Sequence, residues 1–518
     1  MIKTQKSVLP YALDPVRLYR ELCAKSGRVN TVLLESADVK TKAGEKSFVM
    51  VKAALKIRAE RETVKVDALS TFGEFLVAKL SEGASLRIAK HEKNQIVFAI
   101  PPPNAQESLS AQLQRKSCLD VLRDLMDLHT LAPEAHKENF LIPGIFSYDL
   151  IDHFENLPQA KHDPHGFPDY IFWFPESFVS VDHVRKQTQV NHYGLGGSDT
   201  FVESTLALCE RMKSLGDERQ EPGIDQDAIE QADVDISDQE YVKLVEKLKE
   251  HVVMGDVFQI VPSRVFSLPC PDPLLAYEYL KAINPSPYMY YVVDEEFKLF
   301  GASPETFIKL DANSRIVDVK PIAGTRRRGF DSEGQIDIEL DGRLEAELRL
   351  DTKELSEHMM LVDLARNDIA RVAKLGTRHV HRLLSVERYS HVMHLVSQVR
   401  GELHTDLDGL HAYQASMNMG TLVGAPKVRA SELLRLNEKT KRGTYGGAIG
   451  YLDAAGNFDT AIVIRSAFVK DGTAYVRAGA GVVYDSVPEL EAAETKSKAS
   501  AVVSAISLAL QRSKGGTP

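Results

Sequence analysis

A chain of 518 residues with 43% apolar content is too long for one ordinary domain and rich enough to bury substantial cores, so two domains are expected. Acidic residues outnumber basic ones, 73 to 63, for a net charge of −10, which excludes a basic nucleic-acid footprint and a polybasic membrane surface and leaves a small molecule or a protein as the partner. No run approaches the roughly 18 apolar residues of a membrane span, and the four cysteines, Cys23, Cys118, Cys209 and Cys270, are too scattered for a zinc site or a disulfide framework; a soluble, cytoplasmic protein is expected.

Taken in order, residues 31–38 are expected as a short strand running into a polar loop. Segments 47–59 and 62–68 predict a hairpin, 169–181 and 186–193 a second strand pair, and 199–215 a helix. Residues 216–235 turn acidic and polar, so the domain boundary is placed there, dividing the chain into 1–235 and 236–518. Just beyond, Ser237 and Glu240 form a capping box ahead of the stripe Tyr241, Leu244, Val245, Leu248 and Val252, a helix that ends at Gly255. It leads into an apolar strand over 257–264 that carries one polar residue, Gln259. Short strands follow over 288–293, 299–303, 306–310 and 317–322, then the loop Ala323-Gly324-Thr325, with helices expected between 345 and 373. Runs of strands with separate helices favour an α+β fold over a doubly wound α/β one.

The stretch 445–498 gathers most of the chemistry. Three apolar segments, separated by Ala455-Gly456-Asn457 and Lys470-Asp471-Gly472, predict an antiparallel meander, after which Ser486, Pro488 and Glu489 open a helix as a capping box. Arg465 lies in the middle segment, apolar on both faces, and is expected to be buried and in need of an anion. At Gly479-Ala480-Gly481 the missing side chains would let backbone N–H groups approach a ligand. Glu491, Glu494 and Lys498 then share one helical face. A cation, backbone donors and carboxylates near one point suit an anionic small molecule held with a hard metal ion.

Other positions carry two readings on the residues alone. Glu354 and Glu357 stand one turn apart, either as the third residue of an Asp351 capping box and a solvated charge or as partners of the second Glu-rich helix. His394, in an apolar segment, reads as a core histidine bonded to a carbonyl or as an acid–base group; Glu305, directly after a strand, reads as a turn carboxylate or a general acid. The Gly-rich run 419–427, which contains Thr421, is an anion cradle or plain punctuation, and it lacks the Walker spacing.

The ordered blocks FQIVPSR at 258–264, NPSPYM at 284–289, FGASPE at 300–305, PIAGTR at 321–326, KELSEH at 353–358, LVDLARND at 361–368, VMHLVS at 392–397, GAPK at 424–427, IVIRSA at 462–467, AGAGVV at 478–483 and AETKSKA at 493–499 resemble the chorismate-utilising enzymes. Within that family the chain is most similar to the ammonia-using, anthranilate-forming large subunits, whose amino-terminal regulatory motif matches Leu33-Leu34-Glu35-Ser36-Ala37. The resemblance implies the chorismate-binding fold, with large antiparallel sheets packed as a sandwich and helices outside, a regulatory domain first and a catalytic domain second. It implies Mg²⁺-dependent conversion of chorismate and ammonia to anthranilate and pyruvate. Mg²⁺ would sit on Glu357 and Glu494 with Glu354 and Glu491 close by. Arg465, Tyr445 and the amides of Gly479, Ala480 and Gly481 would hold the enolpyruvyl carboxylate, with Gly324, Thr325 and Lys498 completing the pocket. Glu305 would protonate the departing hydroxyl and His394 would assist pyruvate elimination, with Thr421 alongside.

Two positions discriminate within the family. Where its water-adding members carry a lysine base, this chain has Gln259, which cannot deprotonate water and suits ammonia; where its aminodeoxychorismate-forming members carry a nucleophilic lysine, it has Ala323. Val423 and Ser497 depart modestly from the family pattern. The resemblance also implies feedback by L-tryptophan at a pocket of Ser36, Pro287, Tyr288 and Met289 with Glu35, Lys46 and Tyr451. No cysteine lies in a Gly-x-Cys-x-Gly elbow, so ammonia is expected from a separate glutamine amidotransferase subunit, in a heterotetramer of two large and two small subunits.

Overall fold

The structure is a computed structural model that describes residues 2–9, 11–12, 14–36, 46–102, 109–132, 136–195, 232–389 and 392–513. The expected helix at 199–215, most of the acidic linker, Asp38 and Cys209 lie outside the described residues.

The organising element is the fifteen-residue strand Lys46–Glu60, which turns back into Thr63–Ala68 as the expected hairpin and pairs along most of its length with Tyr170–Asp182. Two arms of antiparallel sheet grow from this pair. One runs outward through Thr31–Glu35, Tyr288–Val293, Lys298–Ser303, Ser466–Lys470, Thr473–Gly479 and Ser263–Pro269. The other runs through Leu141–Phe146, Ala448–Asp453, Phe458–Ile462, Thr306–Asp311, Ile316–Val319 and Val392–Glu402, which also carries Ile322–Arg327 and His379–Arg388. The pairings branch but, among the described residues, do not close into a ring.

The inner faces of the arms share one core, where Phe146, Phe172, Leu299, Phe307, Phe458 and Phe468 are buried together. The outer face of the first arm is covered by helices Pro273–Ile283 and Pro488–Ser513 over a second core. This is the expected α+β sandwich with outer helices. The residues on either side of the expected boundary share their sheets, since Thr31–Glu35 pairs with Tyr288–Val293 and Leu141–Phe146 with Ala448–Asp453.

Local expectations need four corrections, each of which shapes the site: first, the expected strand 317–322 stops at Val319, and the expected loop Ala323-Gly324-Thr325 lies inside the strand Ile322–Arg327, with a shift of register at Gly324. The apolar segment 257–264 is two strands: Gln259–Ile260 pairs with Gly424–Ala425, whereas Ser263–Pro269 joins the first arm. Pro262 has no N–H to continue one ladder, and its carbonyl accepts from the Tyr241 hydroxyl at 2.8 Å instead. The middle segment of the meander is also broken, because Val463, Ile464 and Arg465 carry the chain from the second arm to the first, with Arg465 at a φ of +47°. Finally, Ser237 and Glu240 form their capping box, but Ser486 does not cap: its hydroxyl accepts from the Val483 amide, closing the turn before the helix that starts at Pro488.

Candidate active site and a second cavity

Two helices bring the acidic residues. Asp351 caps Thr352–Ala370 by accepting from the Lys353 and Glu354 amides, but the Glu354 carboxylate does not return the bond and accepts instead from Arg326 Nη1 at 3.1 Å. Glu357, one turn on, has Lys353 Nζ at 3.8 Å. From the other side the helix Pro488–Ser513 presents Glu491, Glu494 and Lys498, with Lys498 Nζ 2.6 Å from Glu494 Oε1 and donating to the Gly479 carbonyl at 3.0 Å. Burial pushes the Glu357 carboxyl up to about 7; Lys353 opposes the shift, and Glu354, Glu491 and Glu494 add to it by repulsion. Acidic groups remote in sequence thus meet at one place.

Facing them are the groups read as acid, base and cation. Glu305, 5% exposed in the bend between Lys298–Ser303 and Thr306–Asp311, accepts from Thr421 Oγ1 at 3.1 Å. Burial raises its carboxyl to about 8 against the opposing pull of Thr421, Arg465 and Lys498, so it holds its proton at neutral pH. His394, 2% exposed on Val392–Glu402, places Nδ1 2.9 Å from Thr325 Oγ1; burial and the charge of Arg465 hold it down to about 3, so the imidazole is neutral. Arg465 is half-buried rather than sealed in a strand. Among the described residues no carboxylate forms an ion pair with it, and burial lowers its pKa while Glu305 and Tyr389 oppose that shift.

The glycines make room for close approach. A Cβ on Gly479 would fall 2.6 Å from the Pro262 carbonyl and 3.0 Å from the Tyr445 hydroxyl, and one on Gly481 would fall 2.6 Å from Gln259 Nε2. Gly324 has a φ of +79°, and its missing Cβ would lie 3.2 Å from Glu354 Oε2, so the irregularity in strand Ile322–Arg327 before Thr325 touches the helix Thr352–Ala370. One expectation is narrowed here: the Ala480 amide already donates to the Pro262 carbonyl at 3.3 Å and is not free for a ligand. Gln259, 6% exposed, keeps a buried Oε1 that accepts no hydrogen bond.

All sixteen residues assigned from sequence to catalysis, substrate and metal therefore fall in one connected region. Among the described residues no three carboxylate or imidazole groups stand in a ready metal-binding cluster. A hard divalent cation such as Mg²⁺ takes one or two carboxylates and fills its remaining positions with water and substrate oxygens. Mutually repelling carboxylates, one of them raised to about 7, fit that requirement.

A second cavity, of about 260 Å³, lies between Thr31–Glu35, Tyr288–Val293 and Ala448–Asp453. All seven residues read as an effector pocket line it: Glu35, Ser36, Lys46, Pro287, Tyr288, Met289 and Tyr451. The register explains the convergence, since Met289 stands opposite Glu35 on adjacent strands. Ser36 Oγ is buried without a partner among the described residues, a polar atom available to a guest. Glu35 is engaged by the fold, bonded to the Tyr277 hydroxyl and to Lys281 Nζ at 2.7 Å, so its carboxylate serves the wall.

Sequence reasoning missed some members. Arg326 binds both Asp351 and Glu354, and Lys353 faces Glu357; the i, i+4 spacing of the latter pair was legible. In the cavity, Asp459 accepts from the Tyr288 hydroxyl at 2.9 Å and pairs with Lys309 at 2.8 Å, a position set by strand register and carried by no motif.

With this geometry in hand, the family follows. Residues 78–504 match the model for chorismate binding enzymes, and the chain belongs to that family. Its curated relatives narrow the class: it is 47% identical to anthranilate synthase component 1 of Vibrio cholerae, covering 98% of this chain and 96% of that protein, and 45% identical to anthranilate synthase component 1 of Escherichia coli, covering 98% and 99%. Among solved structures, anthranilate synthase component I of Streptococcus pneumoniae superposes with a TM-score of 0.66 at 28% identity, covering 89% of this chain and 92% of that one. The menaquinone-specific isochorismate synthase of Escherichia coli also reaches 0.66, at 16% identity over 98% and 95%, a likeness of fold alone.

Proposed function

We propose that the chain converts chorismate and ammonia to anthranilate and pyruvate. The observation that carries this reading is a buried carboxylic acid and a buried neutral imidazole flanking one unpaired arginine: Glu305 at about 8, His394 at about 3, and Arg465 near both. Arg465, with the Tyr445 hydroxyl and the amides of Gly479 and Gly481, would bind the enolpyruvyl carboxylate, while Gly324, Thr325 and Lys498 close the pocket. Glu357 and Glu494, backed by Glu354 and Glu491, would hold Mg²⁺, which supplies Lewis-acid withdrawal of electron density from the ring carboxylate.

The residues then divide the work. As the ammonia nitrogen bonds to ring C2 and the double bonds shift, the C4–O bond breaks and Glu305 gives its proton to the leaving hydroxyl, which departs as water; the ammonium formed at C2 then loses one proton, which restores the Glu305 acid. His394 next takes the proton from C2; the C3–O bond breaks, the ring becomes aromatic, and the released enolpyruvate picks up a proton at its methylene carbon to become pyruvate. The unpartnered Gln259 Oε1 is an acceptor suited to an ammonia N–H and too weakly basic to activate water. Ammonia would come from a glutamine amidotransferase subunit, in an assembly of two large and two small subunits, and the 260 Å³ cavity would bind L-tryptophan as a feedback inhibitor.

Purified chain incubated with chorismate, Mg²⁺ and an ammonium salt at alkaline pH is expected to yield fluorescent anthranilate with a lag-free release of pyruvate. Product mass decides against the alternatives: isochorismate or aminodeoxychorismate in place of anthranilate overturns the reading.

A further inference from the structure

His358 follows directly on Glu357 but is turned the other way, into the protein, and is fully buried. Its Nε2 lies 2.6 Å from Ser397 Oγ on Val392–Glu402, the strand that carries His394 three residues earlier. The Ser397 hydroxyl already accepts from the Leu384 amide at 3.0 Å, so its own proton is free to go to Nε2. The imidazole is then neutral with its hydrogen on Nδ1, which finds no hydrogen-bond partner among the described residues, and the ring lies beside the backbone of Ala323. Ala323 precedes Gly324 and Thr325, the irregular stretch of strand Ile322–Arg327 that touches Glu354 and holds His394. One buried ring therefore sits where three parts of the site meet: the helix Thr352–Ala370, the strand Ile322–Arg327 at Gly324 and Thr325, and the His394 strand. Nothing in the chemistry above uses it, and a phenylalanine or leucine would fill a purely structural position at lower desolvation cost.

We propose that His358 is a positioning residue: by accepting the Ser397 hydroxyl it fixes the acidic helix against the His394 strand, setting the separation between Glu357, which faces the ring carboxylate, and His394, which faces C2. Rotation of that helix by even part of an ångström moves Glu354 and Glu357 together, because they lie one turn apart on it. The enolpyruvyl end, held by Arg465, Tyr445 and the glycine run, is on other elements and stays put.

The inference rests on the reading of the site as chorismate- and Mg²⁺-binding, and its test separates the two. Ser397→Ala removes the bond with a minimal change of volume, His358→Leu removes it from the other side, and His358→Gln keeps an acceptor near the Nε2 position. Ser397→Ala and His358→Leu are expected to lower kcat about tenfold or more with a chorismate KM within about twofold, and to weaken Mg²⁺ binding, measured by calorimetry on the protein without chorismate, about fivefold. The pair combined is expected to cost no more than either alone, and His358→Gln to recover most of both losses. Unchanged kcat and Mg²⁺ affinity with only a lowered melting temperature overturns the proposal, as does additive loss in the double variant. A parent chain that binds Mg²⁺ but makes no anthranilate sinks the reaction reading and leaves the calorimetric comparison to decide this one.

Discussion

At the scale of single residues, burial sets the protonation states on which the reaction depends. Glu305 loses more solvation as an anion than Thr421, Arg465 and Lys498 return, so its proton stays until about pH 8. In the proposed role of general acid it must be protonated, and the pH profile of kcat is therefore expected to fall above about 8, with Glu305→Gln lowering kcat by orders of magnitude and flattening that limb. The same shift has a sign in stability. A carboxyl raised in the folded state binds its proton more tightly there than in the unfolded chain, so its contribution is fully present below the ordinary carboxyl range and is lost as pH rises to about 8. Glu305→Gln, freed of that loss, is expected to gain stability over the parent between pH 5 and 9, measured by urea unfolding with the single, buried Trp173 as reporter. Equal pH slopes for the two proteins would contradict the buried-acid assignment. A second residue-scale prediction concerns Gly481, whose added methyl would displace the movable end of Gln259 rather than backbone. Gly481→Ala is expected to leave the melting temperature within a few degrees while raising the ammonia concentration for half-maximal rate about tenfold, roughly 1.4 kcal/mol.

At the scale of elements, local signals were reliable where they were self-contained. Ser237 and Glu240 form both bonds of their box, and Ser237→Ala is expected to cost about 1 kcal/mol in chemical unfolding. Ser486 carries the same sequence signature, yet its hydroxyl is taken by the Val483 amide, so Ser486→Ala tests the turn before the helix and not a helix cap. The difference lies in tertiary context: Val482 is tied to Ile260 in both directions, which fixes the turn before the helix begins. Arg465 shows the same limit. An apolar run between two turn signals predicts one strand, but the segment has to cross from one arm of the sheet to the other, and the residue at the crossing takes a left-handed backbone. That crossing is what turns the guanidinium toward Glu305 and His394, so the element misread from sequence is the one that builds the site. By contrast, the acidic helices were legible because i, i+3 and i, i+4 spacing needs no knowledge of register.

At the scale of the whole molecule, the two expected regions are welded by shared sheets, and the weld places the 260 Å³ cavity beside Glu305. Tyr288 lines the cavity; its hydroxyl donates to Asp459 and lies 3.2 Å from Thr306 Oγ1, and Thr306 is the residue after Glu305. Seven cavity residues were recognisable by family likeness, but this adjacency was not, because it depends on the pairing of 288–293 with 298–303 and of 306–311 with 458–462. A guest that orders the Tyr288 wall would bias the bend that holds Glu305, a physical route for the proposed feedback. The coupling is expected to be about 1 to 3 kcal/mol and must be reciprocal, so saturating chorismate should weaken tryptophan binding by the factor by which tryptophan weakens chorismate binding. Ser36→Phe, which puts a ring where a buried hydroxyl now borders a 260 Å³ space, is expected to abolish inhibition with turnover intact. Tyr288→Phe keeps the wall but removes the hydroxyl between Asp459 and Thr306. It is expected to let tryptophan bind with at most a few-fold loss by calorimetry while the inhibition it causes drops about tenfold. Tryptophan that binds and inhibits this variant as it does the parent would show that the signal reaches Glu305 by another path.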